Sequence, residues 1–93
     1  APVYVPAGEA VVKIQALGQK ARGIYPYMIV ELDGEEIGET FVDSAEWKEY
    51  TFAINSGTVP VGLKVLSVTF LNDYCDAKED RNLIVGEARV DER

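Results

Sequence analysis

The chain of 93 residues contains no histidine and only one cysteine, Cys75. Without histidine there is no Ser-His or Cys-His nucleophilic site, and no zinc site built on imidazole. A single cysteine cannot form a disulfide within the chain, so it does not indicate a cellular compartment. These absences remove the commonest routes to nucleophilic and zinc-dependent catalysis.

Basic residues are also scarce: nine Lys and Arg stand against 16 Asp and Glu, for a net charge of −7. Such a surface repels nucleic acid and anionic membranes, because both attract proteins through Lys and Arg. No apolar run approaches the roughly 18 residues that span a bilayer, and residues 1–10 lack the basic and apolar segments of a signal peptide. We therefore expect no nucleic-acid and no membrane partner, whereas cations or neutral partners such as sugars suit this charge.

Alternation of apolar and polar residues dominates the sequence, and no window of about eleven residues shows a helical stripe. Val12, Ile14 and Ala16 share one face of a predicted strand. The dipeptide Asp33-Gly34 separates two further strand-like segments. It is typical of a tight hairpin, because both residues accept a positive φ.

Several short strands, with turn signals about every 8–12 residues, predict an all-β fold. The turns include residues 55–62, NSGTVPVG, and the last strand is expected over residues 83–90 with a bulge at Gly86. We expect one domain over residues 1–93, with its core between about residues 9 and 91. The predicted architecture is an antiparallel, jelly-roll-like β-sandwich, and a small open barrel is the alternative that the pattern leaves open.

One stretch, residues 70–83 with the sequence FLNDYCDAKEDRNL, interrupts the alternation, and we call it the acidic segment. Its acids and amides are Asn72, Asp73, Asp76, Glu79, Asp80 and Asn82. A solvated connection is one interpretation, because exposed charges are screened beyond about 8–10 Å at physiological salt. A metal site is the other, because the flanking strands would bring Asp73 and Asp80 together from opposite ends of the segment.

Oxygen ligands of this kind suit calcium, which takes six to eight of them at about 2.3–2.6 Å. Softer metals are poor candidates without histidine or paired cysteine. The spacing is not that of an EF-hand, since the glycine that makes its sharp turn is missing. A calcium site here would be assembled by a loop of the sandwich, with backbone carbonyls completing the shell.

The acidic segment resembles the calcium-dependent, xylan-binding carbohydrate-binding modules, especially family 60 and its circularly permuted relative, family 36. The resemblance is carried by Asn72-Asp73-Tyr74 and by DRNLIV at residues 80–85. It extends over about residues 10–90, through ALG at 16–18, YPYM at 25–28, DG at 33–34 and WKEY at 47–50.

The resemblance implies a calcium ion at one end of the sandwich, where two adjacent sugar hydroxyls replace water in the open part of the coordination shell. By matched position, the implied metal ligands are Asp73, Asp80, Asn82 and Asn72. The implied function is that of a non-catalytic module that binds xylan or a related β-glycan. We expect it to be a monomer, secreted or extracellular, and tethered to a larger secreted enzyme that it targets to its substrate.

The expected sugar-contacting residues are Tyr74, Arg81, Tyr25 and Tyr27. Tyr74 could stack on a sugar ring or anchor the segment, and Arg81 could donate to sugar hydroxyls or form an internal salt bridge. Tyr25 and Tyr27 lie on a loop that would reach the same end. Trp47 could be a sugar platform, but at the start of a strand it is more typical of a core edge, and it is not included in the predicted site.

Catalysis is not expected. Glycoside hydrolysis needs two carboxyl groups, about 5–5.5 Å apart for retention or 6.5–9.5 Å for inversion, and an acid whose pKa is raised. A sandwich of this size offers little depth in which to enclose a sugar and raise that pKa. The alternative function is a protein-interaction or adhesion module with a purely structural calcium ion, whose stability would depend on calcium without any binding of sugar.

Overall fold

The computed structural model describes residues 2–6, 9–54 and 61–92. Within them the chain forms eight strands: β1 (Pro2–Val5), β2 (Ala10–Gln19), β3 (Tyr27–Leu32), β4 (Glu35–Phe41), β5 (Lys48–Ile54), β6 (Gly62–Phe70), β7 (Tyr74–Cys75) and β8 (Asp80–Glu92). A search of this part of the chain for a helix long and apolar enough to cross a membrane found none. The predicted turn over residues 55–62 lies mostly outside the described residues.

The strands form two four-stranded sheets, in the orders β1-β6-β3-β4 and β5-β2-β8-β7. Each pairing between the described strands is antiparallel. The inner faces of the two sheets meet in one cluster of buried side chains: Val5, Ala10, Val12, Ile14, Ala16, Met28, Val30, Leu32, Val42, Tyr50, Ile54 and Leu66. The all-β sandwich is thereby confirmed, and the open-barrel alternative is wrong because the two sheets are separate.

Alternation along β2 shows how the sequence selects this packing. Val12, Ile14 and Ala16 are buried between the sheets, whereas Gln15 between them is exposed on the other side. Gly18 continues the inner face at a close approach, because a Cβ atom there would lie only 2.5 Å from the main-chain oxygen of Val42. The side of β5-β2-β8-β7 that faces solvent is called the outer face below.

The Asp33-Gly34 turn joins β3 to β4 as the sequence predicts. Both residues have positive φ, 50° and 84°, which is the conformation that a type I′ turn requires. The turn is also tied to the neighbouring strand, because the Val65 N–H donates to Asp33 Oδ1 at 2.7 Å. A local dipeptide signal thus sets the hairpin, and a contact distant in sequence holds it against β6.

Strand β8 contains the bulge predicted at Gly86. Its register against β2 runs Ile14↔Ala88 and then Ala16↔Val85, so Gly86 and its neighbour Glu87 together oppose one residue of β2. The strand is longer than predicted, because it begins at Asp80, and the acidic segment contains the short strand β7. Asp80 and Asn82 therefore belong to a paired strand, not to a loop as the sequence indicated.

Candidate functional site

Arg81 is the centre of the frame that supports the acidic segment. It is only 6% exposed, and its guanidinium group donates to three main-chain carbonyls: Ala21 O at 2.8 Å, Ile24 O at 3.0 Å and Asn72 O at 2.6 Å. These bonds commit donors on all three nitrogens of a group that has five N–H donors. The sequence suggested sugar hydroxyls or a salt bridge as partners of Arg81, whereas in the structure its partners are neutral carbonyls. These hydrogen bonds join residues 21–24 to the acidic segment.

The side chain of Asn72 holds the main chain on both sides of Pro26. Its Oδ1 accepts from the Tyr27 N–H at 2.6 Å, and its Nδ2 donates to the Tyr25 carbonyl at 3.1 Å. Since its main-chain oxygen already accepts from Arg81, both oxygens of Asn72 are engaged within the protein. This arrangement favours a supporting position for Asn72 over a place among the metal ligands.

The carboxylate of Asp76 organises the turn between β7 and β8. Oδ1 accepts from the N–H groups of Lys78 at 2.8 Å and Glu79 at 2.7 Å, while Oδ2 accepts from the Tyr74 hydroxyl at 2.7 Å. The Tyr74 hydroxyl and the two main-chain amides lower the pKa of the Asp76 carboxyl to about 2. Asp76 thus supports the conformation of its own loop through these hydrogen bonds.

Arg22 connects the same cluster to the turn at residues 21–24. Its guanidinium group lies 3.2 Å from Asp76 Oδ2 and donates from Nε to the Tyr74 hydroxyl at 3.2 Å. Its main-chain N–H donates to Glu79 Oε2 at 3.0 Å. With a φ of 55°, Arg22 occupies a left-handed conformation that is uncommon for a residue with a side chain. Two of the four acids in the acidic segment therefore have a basic partner inside the protein.

Tyr74 is enclosed by this cluster. The guanidinium carbons of Arg81 and Arg22 lie 5.3 and 6.0 Å from its ring centroid. Its hydrogen bond to Asp76 raises the pKa of its hydroxyl. Of the two interpretations of Tyr74, the anchor describes these contacts better than the stacking platform.

The remaining predicted ligands lie on the outer face. In the β7–β8 ladder Tyr74 pairs with Arg81 and Cys75 with Asp80. Because Arg81 is buried and side chains alternate along a strand, Asp80 and Asn82 point to the opposite side, toward solvent. Asp73 directly precedes β7 and is exposed; one further step of the same pairing would set it across from Asn82. The ladder thus places Asp80 and Asn82 on one face, with Asp73 exposed next to it in sequence.

These three residues have the reach to share one ion. In that continued pairing Asp73 and Asp80 would form a diagonal pair, a relation that separates Cα atoms by about 7–8 Å. Oxygens on one calcium ion, each at about 2.3–2.6 Å, can lie as much as about 5 Å apart, and the aspartate side chains cover the difference. Neither carboxylate has a hydrogen-bond or salt-bridge partner within residues 2–6, 9–54 and 61–92.

The amide of Asn82 is fixed, and its oxygen is left for a ligand. Nδ2 donates to Gln19 Oε1 at 2.8 Å, on the neighbouring strand of the outer face. Two carboxylates and an amide oxygen are hard donors, so the set fits calcium chemically. Across the described ranges no three acidic or cysteine side chains converge on one point, so the shell needs backbone, water or ligand oxygens as well.

The two predicted tyrosines outside the acidic segment are placed differently. Tyr27 packs edge-to-face on Phe41, with ring centroids 4.7 Å apart, and a hydrogen bond to Glu39 raises the pKa of its hydroxyl. It lies on the solvent side of the other sheet, so the structure does not bring it to Asp80. The ring of Tyr25 lies beside Lys20, whose Nζ is 5.6 Å from the ring centroid.

Sequence reasoning missed the positions of Arg22 and Asp76 in this frame. An aspartate whose carboxylate accepts from amides two and three residues on is a recurring turn pattern, so Asp76 had a local signal. Arg22 had none, since it lies more than fifty positions from its partners along the chain.

Comparison with known proteins was made by family model, by sequence and by structure. The family model that matches describes a Ca-dependent, xylan-binding carbohydrate-binding module, and it covers residues 11–93. The searches of curated proteins and of solved structures returned no match. The matched range includes seven of the eight strands and the whole acidic segment. The chain therefore belongs to carbohydrate-binding module family 60, the Ca-dependent xylan-binding modules.

Proposed function

We propose that this module binds xylan, or a closely related β-glycan, through a calcium ion held by Asp73, Asp80 and Asn82 on the outer face. One observation carries the assignment of residues. Asp76 and Glu79 are bonded within the protein, whereas the carboxylates of Asp73 and Asp80, both exposed, have no hydrogen-bond or salt-bridge partner among the described residues. The family match supplies the ion and the class of ligand.

Each residue has a distinct task in this proposal. Asp73 and Asp80 provide the negative charge that offsets the desolvation of a divalent cation, and Asn82 adds a neutral oxygen. Gln19 Oε1 accepts a hydrogen bond from Asn82 Nδ2 and so fixes the orientation of the Asn82 amide. The amide oxygen of Asn82 then points away from Gln19. Arg81 and Asn72 hold the two ends of the acidic segment in register. The bound ion would offer open coordination positions to two adjacent sugar hydroxyls.

Sugar selectivity follows from this arrangement. Two vicinal equatorial hydroxyls present oxygens at a separation that one large cation can bridge. An axial or missing hydroxyl removes one of the two oxygens, so a sugar of different stereochemistry binds more weakly. We further propose that the module acts as part of a larger secreted enzyme, which it targets to polysaccharide and to whose chemistry it contributes no catalytic group.

The test is calorimetric titration of the protein with xylan oligosaccharides, in calcium and then in EDTA. We expect binding in calcium and none in EDTA, together with a rise in melting temperature on adding calcium, because the ion binds only the folded site. Asp80→Ala should weaken calcium binding by at least about tenfold, the loss that even outer-shell changes cause. The matched control is Asp91→Ala, near the other end of β8, which should leave calcium affinity unchanged.

Two results would contradict the proposal in different ways. If calcium raised the melting temperature but no xylan, galactan or glucan bound, the ion would be purely structural and the partner a protein. If Asp80→Ala kept full calcium-dependent sugar binding, the residues assigned to the site would be wrong while the function stood.

A further inference from the structure

Trp47 lies on the outer face, some distance along the sheet from the metal ligands. It directly precedes β5, where Lys48 pairs with Ala16, so it stands beside Leu17 of β2. Its six-membered ring reaches across to β8 and covers Gly86, because a Cβ atom added there would lie 3.0 Å from Cζ3 and 3.2 Å from Cη2. The absence of a side chain at the bulge thus leaves room for the indole on the sheet.

The contacts of Trp47 are not those of a core residue. It is 56% exposed and is absent from the buried cluster between the sheets. More than half of its surface is open to solvent, and its indole N–H has no acceptor in the described parts of the chain. The sequence favoured a core edge for Trp47, and the structure instead places it as an exposed plate on the outer face.

A continuous strip connects Trp47 to the metal ligands. Next to the indole comes the cross-strand pair Leu17↔Ile84, of which Ile84 is 42% exposed, and then the pair Gln19↔Asn82. From Gly86 to Asn82 the strip spans four residues, about 13 Å at 3.3 Å per residue. That distance exceeds one sugar ring, so a ligand touching both ends has to be an oligosaccharide.

We propose that Trp47 forms a second subsite, where a pyranose ring of the same polysaccharide chain stacks several sugars away from the ion. The inference rests on the proposed function, since the metal end supplies the first contact. The occupant is a neutral β-glycan chain because the platform is apolar and flat, and the C–H groups of a pyranose face carry the positive edge that an indole face attracts. Leu17 and Ile84 would lie beneath the intervening sugars.

The experiment compares a short and a long ligand, xylobiose and xylohexaose, in calcium. Trp47→Ala should weaken xylohexaose binding roughly 2- to 10-fold, the range expected for one aromatic stacking contact, and leave xylobiose affinity unchanged. Trp47→Phe keeps an aromatic plate and should retain most of the affinity, and a melting curve on each variant checks its folding. Tyr4→Ala, an aromatic 59% exposed on the other sheet, is the matched control and should change neither affinity.

Fluorescence gives an independent readout, because Trp47 is the only tryptophan in the chain. Xylohexaose with calcium should shift its emission to shorter wavelength, whereas calcium alone or with xylobiose should not. Equal losses for both ligands in Trp47→Ala would overturn the subsite, as would no loss for either while the wild type binds both. If the wild type bound neither ligand in calcium, the proposed function itself would fail and the subsite with it.

Discussion

Arg81 is expected to matter more to stability than any surface ion pair of this protein, although it has no acidic partner. The substitution Arg81→Met keeps the length and much of the volume of the side chain but removes its charge and its donors. The carbonyls of Ala21, Ile24 and Asn72 then lose their hydrogen bonds at once. Arg81→Lys is the companion variant, since it restores the charge without the planar fork that reaches three oxygens.

The three hydrogen bonds of Arg81 contribute unequally to the free energy of unfolding. The bond to Ala21 O is buried, and a buried bond from a charged donor contributes about 1.5–3 kcal/mol; the two partly buried bonds contribute about 1 kcal/mol each. Removing a charge from a buried position returns part of this sum, which leaves a loss of about 3 kcal/mol. A domain of this size is stable by about 5–15 kcal/mol, and its melting temperature should fall by about 12–24 °C.

Urea unfolding, followed by far-UV circular dichroism, measures the loss directly from the transition midpoint. The control is Arg89→Met, because Arg89 has three acidic neighbours, Asp91 at 3.1 Å, Glu87 at 3.5 Å and Glu49 at 3.7 Å, and is 40% exposed. Exposed ion pairs contribute little, so its midpoint should hardly move. A loss below about 1 kcal/mol in Arg81→Met, or a larger loss in Arg89→Met, would refute the reasoning.

Three further predictions concern the frame and the outer face. Asp76→Asn should destabilise the protein at neutral pH but not in strong acid. Folding lowers the pKa of the Asp76 carboxyl from 3.8 to about 2. The carboxylate therefore stabilises the fold above the unfolded-state pKa, and this stabilisation is lost as the pH falls through the folded-state pKa. Melting curves between pH 7 and pH 2 on both proteins test this, and a difference as large at pH 2 as at pH 7 would contradict it. Gly18→Ala should lower the melting temperature markedly, since its Cβ would lie 2.5 Å from Val42 O, and an unchanged melting temperature would mean that the two sheets separate easily there. Cys75, exposed and cross-strand from Asp80, should react with a thiol reagent more slowly when calcium and xylohexaose are both present. If xylohexaose slowed the reaction of Cys75 equally in EDTA, this would argue against the placement of Cys75 and the calcium-dependent sugar site on one face.

The parts of the fold that were predicted from sequence depend on local signals. Period-two alternation identified β2, and Asp33-Gly34 identified the β3–β4 hairpin, because a pleat and a positive φ are properties of neighbouring residues. β7 and the first residues of β8 were not predicted, because no local sequence signal marks them. In the acidic segment the alternation is hidden by charge, and what pairs these strands is a turn closed by the Asp76 carboxylate.

The candidate site also contains residues that local sequence patterns identify and contacts that only the tertiary fold creates. The residues expected as ligands on the basis of resemblance were Asp73, Asp80, Asn82 and Asn72; the ladder turns Asp80 and Asn82 to one face, and Asp73 is exposed directly before β7. The supporting contacts were not predictable, because Asn72 and Arg81 bond to main-chain atoms near residues 21–27 that only the tertiary fold brings near. A sequence pattern shows which side chains carry charge, but the pairing of strands decides which of those side chains find a hydrogen-bond or salt-bridge partner within the protein.

The bulge in β8 governs which way the site faces. On one side of it Arg81 and Leu83 turn toward the core, and on the other side Ala88 and Val90 do, so odd positions point inward before Gly86 and even positions after it. If the same residues paired one to one without the bulge, one half of the strand would have to turn its charged positions inward. Deleting one residue of the bulge itself would restore one-to-one pairing and leave both halves facing as they do. Deleting one residue between Asn82 and Gly86, with the bulge kept, would instead turn Asp80 and Asn82 toward the interior and Arg81 toward water, without altering a single predicted ligand.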